Sequence, residues 1–438
     1  MTSAGRPPEA AALPIGQRHI DSRFLARWLL LPLWCLLDRV VPKRRDCWAF
    51  FVHPLKDEQF IENARAVFEA VKDDGQIHKL VFTRRGDVNL RLEGARNTTV
   101  LDLQSLAGLW ALARCGVYLL TNAVAMDMSW RWTDGTFSVL RPSLTRRRLI
   151  NLWHGIPLKR LFALTNPEAQ QRADRVALRR KERAYYHGLI CSSDIDSYAM
   201  ASIFYPIDFS CVWLTGLPRN DFLLMDEVAL PIGLRDEVER VRQSRAGKRL
   251  ITYAPTFRDS SVQGSCYYQF SDDEIERLKA LLRKHDAVLG FRMHYFRKGE
   301  QLFNMERHID GETILDLGHS VISELAPILR ESSVVITDYS SVYIDALYLD
   351  LPVLSFAYDL EHYRTQQNGL LYDMDIAFPG AVTERFDDLL EALDRELAQS
   401  TQIAGERYRM VKKLFFKYLD CQNAQRVVDR IKLLCAMP

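Results

Sequence analysis

The sequence lacks several short signatures that mark well-known nucleotide and metal sites. It contains no P-loop, no dinucleotide-binding G-x-G-x-x-G and no H-E-x-x-H metal motif. Its eight cysteines include no C-x-x-C pair, so neither a zinc site nor a redox pair is indicated. We expect reduced thiols of a cytosolic protein and no metal site. Any nucleotide or phosphate chemistry must be carried by other residues.

The N-terminal region has no hydrophobic run long enough to cross a membrane. The run from Trp28 to Leu37 is too short for a bilayer and contains Pro32. No small-residue cleavage site follows it, which argues against a secretory signal. Basic residues flank the run: Arg23, Arg27, Arg39, Lys43, Arg44 and Arg45. Residues 1–45 are therefore predicted to be an amphipathic segment that binds an anionic membrane surface, and a helix packed on the globular body is the alternative.

Short apolar strands alternate with amphipathic helices along the rest of the chain, a pattern typical of parallel sheets covered on both faces. The 438 residues can bury the cores of two domains. A charged stretch, Leu223–Lys248, is predicted to be a linker with a connecting helix. We therefore predict an α/β fold with two Rossmann-like domains facing across a cleft, residues 46–225 and residues 226–438. The net charge of +2 points to no class of partner, and no nucleic-acid partner is predicted.

His154 stands where a predicted strand gives way to a loop. Ile150–Trp153 is the apolar end of that strand, and Gly155 and Pro157 stop it just after the histidine. Ligands of open α/β sheets bind at the carboxyl ends of the strands, and an imidazole there can exchange a proton near neutral pH. A catalytic histidine is one interpretation. A structural histidine hydrogen-bonded at a turn is the other.

The stretch DYSS follows a second predicted strand and opens a predicted helix, Val342–Tyr348. Free N–H groups at a helix start, with the hydroxyls of Ser340 and Ser341 beside them, would bind a pyrophosphate. The alternative is that Asp338 or Ser340 only caps the helix. Asp345 lies one turn further on the same helix face, where it would reach either a ligand or solvent.

Cations follow other predicted strands. Arg292 and His294 alternate around Met293 in an extended run, so both point to the same side. Such a pair suits a phosphate whose charge grows in a transition state, and a partly solvated strand edge is the alternative. Other candidates are two further arginines and a turn that could present backbone groups to a nucleotide base: Arg219, Arg258, Pro255 and Thr256.

Five motifs in one order carry a resemblance to a known family. They are NLWHGIPLKR, TGLPRND, ITYAPTFRD, LGFRMHYF and VVITDYSSVYIDALYLDLPVLSF. Together they resemble the CDP-glycerol glycerophosphotransferase family, the teichoic-acid polymerases and primases. The resemblance runs from about Asp46 to about Tyr372. It implies a GT-B fold in which residues 46–225 face the acceptor and residues 226–438 bind CDP-glycerol.

The resemblance also assigns roles to individual residues. The two histidines that the family requires for catalysis match His154 and His294. The substrate-binding candidates are Gly155, Ile156, Pro157, Leu158, Arg219, Pro255, Thr256, Arg292, Met293, Ser340, Ser341 and Asp345. Further candidates are Arg258, Asp338 and Arg364. Departures from the family pattern are Tyr295 in place of a frequent Pro, Phe257 in place of Trp, and a missing second Arg near Gly369, so that Arg364 would bear that contact alone.

The activity implied by the resemblance is transfer of glycerol phosphate from CDP-glycerol to a hydroxyl of a lipid-linked or polymeric acceptor, with release of CMP. The pathway would be teichoic-acid-like or capsular polymer synthesis at the cytoplasmic face of the membrane. No cofactor or divalent ion is expected to be required. Transfer from CDP-ribitol or from a nucleotide sugar is an alternative. A catalytically silent nucleotide-binding scaffold is another.

Overall fold

Two parallel β-sheets organise the chain. The computed structural model describes residues 26–54, 56, 59–84, 88–131, 137–165, 176–256, 258, 267–293, 304–366, 369–399 and 405–436. Both sheets are covered by helices, so their strands are near-continuous apolar runs rather than alternating ones. In β1, for example, every residue from Cys47 to Phe51 is buried. The predicted α/β fold with parallel sheets is confirmed.

The first sheet has the strand order β3-β2-β1-β4-β7-β8-β9, with every neighbouring pair parallel. A short antiparallel hairpin, β5–β6, lies outside it. The strands are β1 Arg44–Phe51, β2 His78–Thr83, β3 Thr98–Asp102, β4 Cys115–Leu120, β5 Ser129–Arg131, β6 Phe137–Val139, β7 Arg148–Asn151, β8 Gly188–Cys191 and β9 Val212–Leu214.

The second sheet has the order β12-β11-β10-β13-β14-β15 and is also parallel. Its strands are β10 Arg249–Tyr253, β11 Ala287–Phe291, β12 Ile314–Asp316, β13 Ser332–Thr337, β14 Val353–Phe356 and β15 Val382–Thr383. In both sheets the order reverses beside the first strand, as in doubly wound folds. The ligand crevice of such a sheet lies at this reversal. Here that means the loops after β1 and β4, and those after β10 and β13.

Helices connect the strands and pack on both sheets. Those preceding residue 230 are α1 Leu31–Val40, α2 Glu62–Val71, α3 Leu106–Arg114, α4 Val124–Asp127, α5 Val176–Arg183, α6 Asp194–Ile203 and α7 Asp221–Leu224. Those that follow are α8 Ile232–Arg245, α9 Asp272–Lys284, α10 Ala326–Glu331, α11 Val342–Tyr348, α12 Leu360–Gln366, α13 Met374–Ala377, α14 Phe386–Ala398, α15 Glu406–Phe415 and α16 Asn423–Ala436. Helix α8 is the connecting helix that was predicted between the two strand sets.

The last helix crosses back to the first half of the chain. Backbone N–H groups of Asn423 and Ala424, at the start of α16, donate to the buried carboxylate of Asp221 at 3.0 and 2.8 Å. Val427 and Ile431 are buried in the same apolar core as β1 and α2. The last helix therefore completes the packing around the first sheet.

Helix α1 packs one face on the body of the protein. Leu31 and Trp34 are buried, and the Trp34 indole N–H donates to the Leu109 carbonyl at 2.8 Å. Asp38 forms a buried ion pair with Arg147 at 2.5 Å. Within the run Trp28 to Leu37, which was predicted to face a membrane, Leu31 and Trp34 therefore pack against the protein instead, because both fill the space above α3. No helix in the described part of the chain is both long and apolar enough to cross a membrane.

The opposite face of α1 and of the preceding turn remains exposed. It carries Trp28, Leu29, Leu33, Leu36, Leu37 and Val40, and the neighbouring helix α3 adds Leu106 and Trp110. We call these eight side chains the apolar face. A patch of this size on one side of a protein marks an interaction surface more often than a random scatter does. Residues 1–25 of the predicted membrane-binding segment lie outside the described residues.

Candidate active site

A cleft of about 290 Å³ lies where the carboxyl ends of the two sheets meet. Loops after β1, β7 and β9 line it from the first half, and loops after β10, β11 and β13 line it from the second. The cleft therefore lies at the strand ends where doubly wound sheets bind their ligands.

The cleft brings together most of the residues predicted from the sequence. They are His154, Gly155, Ile156, Pro157, Leu158, Arg219, Pro255, Thr256, Arg292, Met293, Ser340, Ser341 and Asp345. His294 lies outside the described residues, although it directly follows Met293. Three further candidates do not line the cleft: Arg258, Asp338 and Arg364.

His154 is placed by an unusual turn at the end of β7. The strand ends at Asn151, two residues earlier than predicted, because the Asn151 side chain accepts a hydrogen bond from the Trp153 N–H at 2.8 Å. Trp153 then adopts a positive φ of 47°. Strained backbone of this kind persists where surrounding contacts hold it, and it is frequent at functional sites. The turn directs the next residue, His154, into the cleft.

Asn63 ties three parts of the site together. Its buried amide group donates to the carbonyls of Leu152 and Trp153 at 2.9 and 3.1 Å. Its side-chain oxygen accepts a hydrogen bond from the Arg219 N–H at 3.0 Å. The start of α2, the His154 loop and the Arg219 turn are thus fixed relative to one another by one side chain.

The His154 imidazole is neutral near pH 7. Burial lowers the pKa of His154 to about 4, and the nearby carboxylate of Glu62 acts in the opposite direction. A neutral ring can accept a proton, which is the state a general base needs.

Arg219 and Asp345 form an ion pair across the cleft, with Nη2 of the arginine 2.7 Å from the carboxylate. Arg219 also has a buried Nε atom without a partner. A Cβ on Gly155 would lie 3.2 Å from the arginine Nη2, closer than most side chains tolerate, so a glycine suits this close approach. Asp345 therefore faces the site, which resolves the alternative of a solvent-exposed carboxylate.

Arg292 lines the cleft, yet most of its hydrogen bonds go to the protein itself. Its guanidinium donates to the carbonyls of Leu317 and Ile322 at 2.7 Å each and approaches the His319 ring at 3.1 Å. Burial lowers the pKa of Arg292 to about 10, which leaves the group charged at pH 7. Arg292 therefore contributes positive charge to the cleft while holding the loop between β12 and α10 in place.

Arg258 and Asp338 belong to a buried cluster behind the cleft wall. The Arg258 guanidinium makes two hydrogen bonds with Asp359 at 2.8 and 2.9 Å and one with Asp338 at 2.9 Å. Asp338 also accepts from the Thr256 N–H at 2.8 Å. We call Arg258, Asp338 and Asp359 the Arg258 cluster. Its contacts shape the turn that carries Thr256, and they engage the side chains of both predicted candidates, Arg258 and Asp338, within the protein.

The remaining predicted site residues are Ser340, Ser341 and Arg364. Ser340 and Ser341 border the cleft, and the Ser340 hydroxyl accepts a hydrogen bond from the Val342 N–H at 3.4 Å. Arg364 lies on α12 and pairs with Asp373 at 3.3 Å, away from the cleft. Among the described residues, no group of three or more His, Cys, Asp or Glu side chains is arranged to hold a metal ion.

Sequence reasoning missed several charged residues of the cleft: His53, Lys56, Glu62, Lys159, His319 and Glu324. Burial lowers the pKa of Lys159 to about 8 and raises that of Glu324 to about 7. The sequence did carry a signal for His53 and Lys56, because both follow β1, the strand where the sheet order reverses. Lys159 lies within the motif NLWHGIPLKR, which also contains His154.

Two doubly wound sheets that meet at a cleft lined by buried cations define an α/β protein suited to anionic ligands. Comparison with known proteins makes this class specific. A sequence model of the CDP-glycerol:poly(glycerophosphate) glycerophosphotransferase family matches residues 35–433, and the chain belongs to this family.

The names of curated relatives place those proteins in teichoic acid synthesis. The teichoic acid ribitol-phosphate polymerase TarL of Staphylococcus aureus is 30% identical over 288 residues, 65% of this chain and 48% of that protein. A teichoic acid poly(glycerol phosphate) polymerase of Bacillus spizizenii is 26% identical over 386 residues, 84% of this chain and 89% of that protein. The chain spans about half the length of the first two curated relatives that it matches.

The fold also matches a solved structure. The wall teichoic acid polymerase TagF superposes with a TM-score of 0.70 and 19% sequence identity, covering 92% of this chain and 93% of that one. At this level of identity the likeness supports the fold alone.

Proposed function

We propose that this protein transfers glycerol phosphate from CDP-glycerol to a hydroxyl of a lipid-linked or polymeric acceptor and releases CMP. The observation that carries this proposal is that His154, Arg219, Arg292 and Ser340 line the same cleft. Phosphoryl transfer needs a positioned base and fixed positive charge, and this cleft supplies both. We also assign the two facing sheets to the GT-B arrangement, with residues 46–225 on the acceptor side and residues 226–438 on the donor side.

In the proposed reaction His154 is the general base. The acceptor oxygen attacks the phosphorus that carries glycerol, and the bond from this phosphorus to the bridging oxygen of CMP breaks. The hydroxyl proton passes to the neutral imidazole. An anionic donor bound beside the ring would favour the imidazolium, and so would raise the pKa of His154 toward the range of an effective base.

The donor phosphates would lie between cations from both halves of the chain. Arg219 and Lys159 come from the first half, and Arg292 comes from the second. The hydroxyls of Ser340 and Ser341 stand at the same edge of the cleft. His294 together with Arg292 would hold the pyrophosphate and stabilise the departing CMP. These groups supply fixed charge in a partly dry site, so the proposal includes no required cofactor or divalent ion.

We place the enzyme at the cytoplasmic face of the membrane, where a lipid-linked acceptor is concentrated. The apolar face supports this placement, because it leaves eight large side chains unburied on neighbouring helices. Basic residues close to it, such as Arg27 and Arg39, can meet anionic headgroups.

The test is to measure the nucleotide released from CDP-glycerol, CDP-ribitol and UDP-sugars in the presence of a defined lipid-linked acceptor. We expect CMP from CDP-glycerol, and mass spectrometry should show one or more added glycerol phosphate units. Release of UDP or UMP from a UDP-sugar, or binding without turnover of any donor, would contradict the proposal. CDP-ribitol is the second candidate donor, because the first two relatives, each 30% identical, are ribitol-phosphate polymerases.

A further inference from the structure

Glu62, the first residue of α2, places an unused carboxylate oxygen in the cleft. Its Oε1 atom pairs with Lys56, whereas its Oε2 atom is buried without a hydrogen-bond partner. The residue is 9% exposed and lines the cleft. A buried acceptor without a donor costs free energy, so a native protein keeps one where a ligand or an ordered water completes it.

The position of Glu62 beside His154 is fixed by the backbone. Glu62 has a positive φ of 59°, and its N–H donates to the Glu324 carboxylate at 2.8 Å. The next residue, Asn63, bonds to the carbonyl groups just before His154, as described above. Two non-glycine residues with left-handed backbone, Glu62 and Trp153, thus flank the same site. This is the arrangement in which strain supports function.

The charge of Glu62 limits what its free oxygen can bind. Burial would raise the pKa of this carboxyl, but Lys56 and His53 outweigh that effect and hold it below its usual range. The group is therefore an ionised acceptor at pH 7. It repels phosphate and accepts a hydrogen bond from a hydroxyl, which is the chemistry of a polyol.

A complementary donor lies close by. The side-chain Nδ2 of Asn220 is buried without a partner and belongs to a residue that also lines the cleft. The turn Pro218–Asn220 packs directly on α2. One hydroxyl can donate to Glu62 while its oxygen accepts from Asn220, which would satisfy both orphan groups together.

We propose that Glu62 binds the non-reacting hydroxyl of a glycerol unit and so positions that unit against His154. The inference rests on the proposed function. The glycerol unit belongs either to the donor, in which neither free hydroxyl reacts, or to the growing end of the acceptor, in which one hydroxyl attacks. In both cases the group bound by Glu62 is the secondary hydroxyl, which does not react. Glu62 would then select polyols with that hydroxyl over otherwise identical substrates without it.

The test compares substrates that differ by this hydroxyl alone. One arm uses CDP-glycerol and CDP-propane-1,3-diol as donors. The other arm uses acceptors that end in glycerol phosphate or in propanediol phosphate. The unchanged protein should prefer the glycerol form by roughly 10- to 100-fold in kcat/KM on one arm, as expected for a hydrogen bond to a charged group. In Glu62→Gln that preference should shrink to about threefold on the same arm and stay unchanged on the other.

Glu69→Gln is the matched control. Glu69 lies on the same helix and pairs with Arg65 at 2.7 Å with similar side-chain exposure, but it does not line the cleft. Its preference for the glycerol form should equal that of the unchanged protein. If Glu62→Gln does not fold, the double variant Lys56→Met/Glu62→Leu removes both charges and takes its place.

The inference is overturned if the Glu62 variant slows all four substrates by the same factor, or if the unchanged protein has no preference on either arm. A folded, unchanged protein that turns over no glycerol substrate would instead contradict the proposed function. The two failures are therefore distinguishable.

Discussion

Two arginines at comparable places in the two halves have opposite roles. Arg219 follows β9 and is half-buried, and Arg258 follows β10 and is buried. Arg219 keeps an unpartnered Nε and lines the cleft, whereas Arg258 spends four hydrogen bonds on Asp338, Asp359 and the Thr256 carbonyl. The cleft thus retains unused hydrogen-bonding capacity, and the Arg258 cluster does not.

This contrast separates residues that act on a ligand from residues that build the wall behind it. Unpartnered polar atoms in the cleft belong to Glu62, His154, Arg219, Asn220 and Thr256. Changes there should alter turnover more than folding. Changes in the Arg258 cluster should alter folding first.

The largest effect is expected on the cleft side, from His154→Ala. Loss of a general base should lower kcat by about 10² to 10⁴. The melting temperature should stay close to that of the unchanged protein, because His154 lies at the start of a loop and faces the cleft. CMP release and thermal unfolding measure the two quantities. His78→Ala is the control, because His78 lies at the amino-terminal end of β2 and does not line the cleft. Near-normal turnover of folded His154→Ala would remove this residue from the mechanism.

On the wall side, Arg258→Met should lower the free energy of unfolding by about 3–5 kcal/mol, because two carboxylates are left buried without their cation. Denaturant titration measures this. Arg277→Met removes the exposed pair with Asp387 and should leave the free energy of unfolding nearly unchanged, because solvent screens both charges. If both variants lose the same small amount, the distinction between wall and cleft fails.

The pH dependence sharpens the role of His154. Its pKa of about 4 predicts that kcat/KM for the donor stays level from pH 7 to about pH 5 and falls in more acidic solution as the ring takes up a proton. The acidic fall of kcat should occur at higher pH, since the bound anionic donor favours the imidazolium. Steady-state rates across this range test the prediction. An acidic fall that persists in His154→Ala would assign it to another group.

The smallest effect concerns the apolar face, far from the cleft. Leu33→Glu/Leu36→Glu should reduce co-sedimentation with anionic liposomes about tenfold or more, because two leucines lose apolar burial. Turnover of a water-soluble acceptor should not change. Ile376→Glu, an equally exposed position elsewhere, is the control. Deletion of residues 1–45 is a poorer test, since it removes Trp34 and leaves Arg147 without Asp38. Full binding by the double variant would move the contact elsewhere.

The sequence predicted the sheets well because buried parallel strands are distinctive. The apolar runs predict strands at Val212–Leu214, Ala287–Phe291 and Val353–Phe356, and the structure has these bounds, as it does for the predicted helix Val342–Tyr348. Among the described strands of only two or three residues, β9 is predicted, whereas β5, β6, β12 and β15 are not, since runs this short carry little period. The sequence predicts a helix over Ile322–Arg330, whereas α10 begins four residues later, at Ala326, where the preceding N–H groups of Ser323 and Glu324 bond to the Glu237 carboxylate.

The candidate site was predicted in part. Motif residues at strand ends could be recognised, because polar groups interrupt an apolar run there. Glu62 and Glu324 could not be recognised, since the two residues are 262 positions apart in sequence. Their hydrogen bond depends on the final packing of α2 against the second half. The difference between Arg219 and Arg258 was also hidden, because each follows a strand and a turn that contains a proline. The two arginines differ in the position of Asp359, which pairs with Arg258 in the folded protein.

The return of α16 to the first half has a consequence for synthesis on the ribosome. Asp221 and the apolar core around β1 and α2 obtain their last contacts from residues 423–436, and Asn423 is translated 202 positions after Asp221. The first half therefore cannot finish folding until this segment has left the ribosome. Nascent chains would expose the incomplete core until then, and an expression fragment that ends near residue 225 should aggregate unless a peptide spanning α16 is supplied with it.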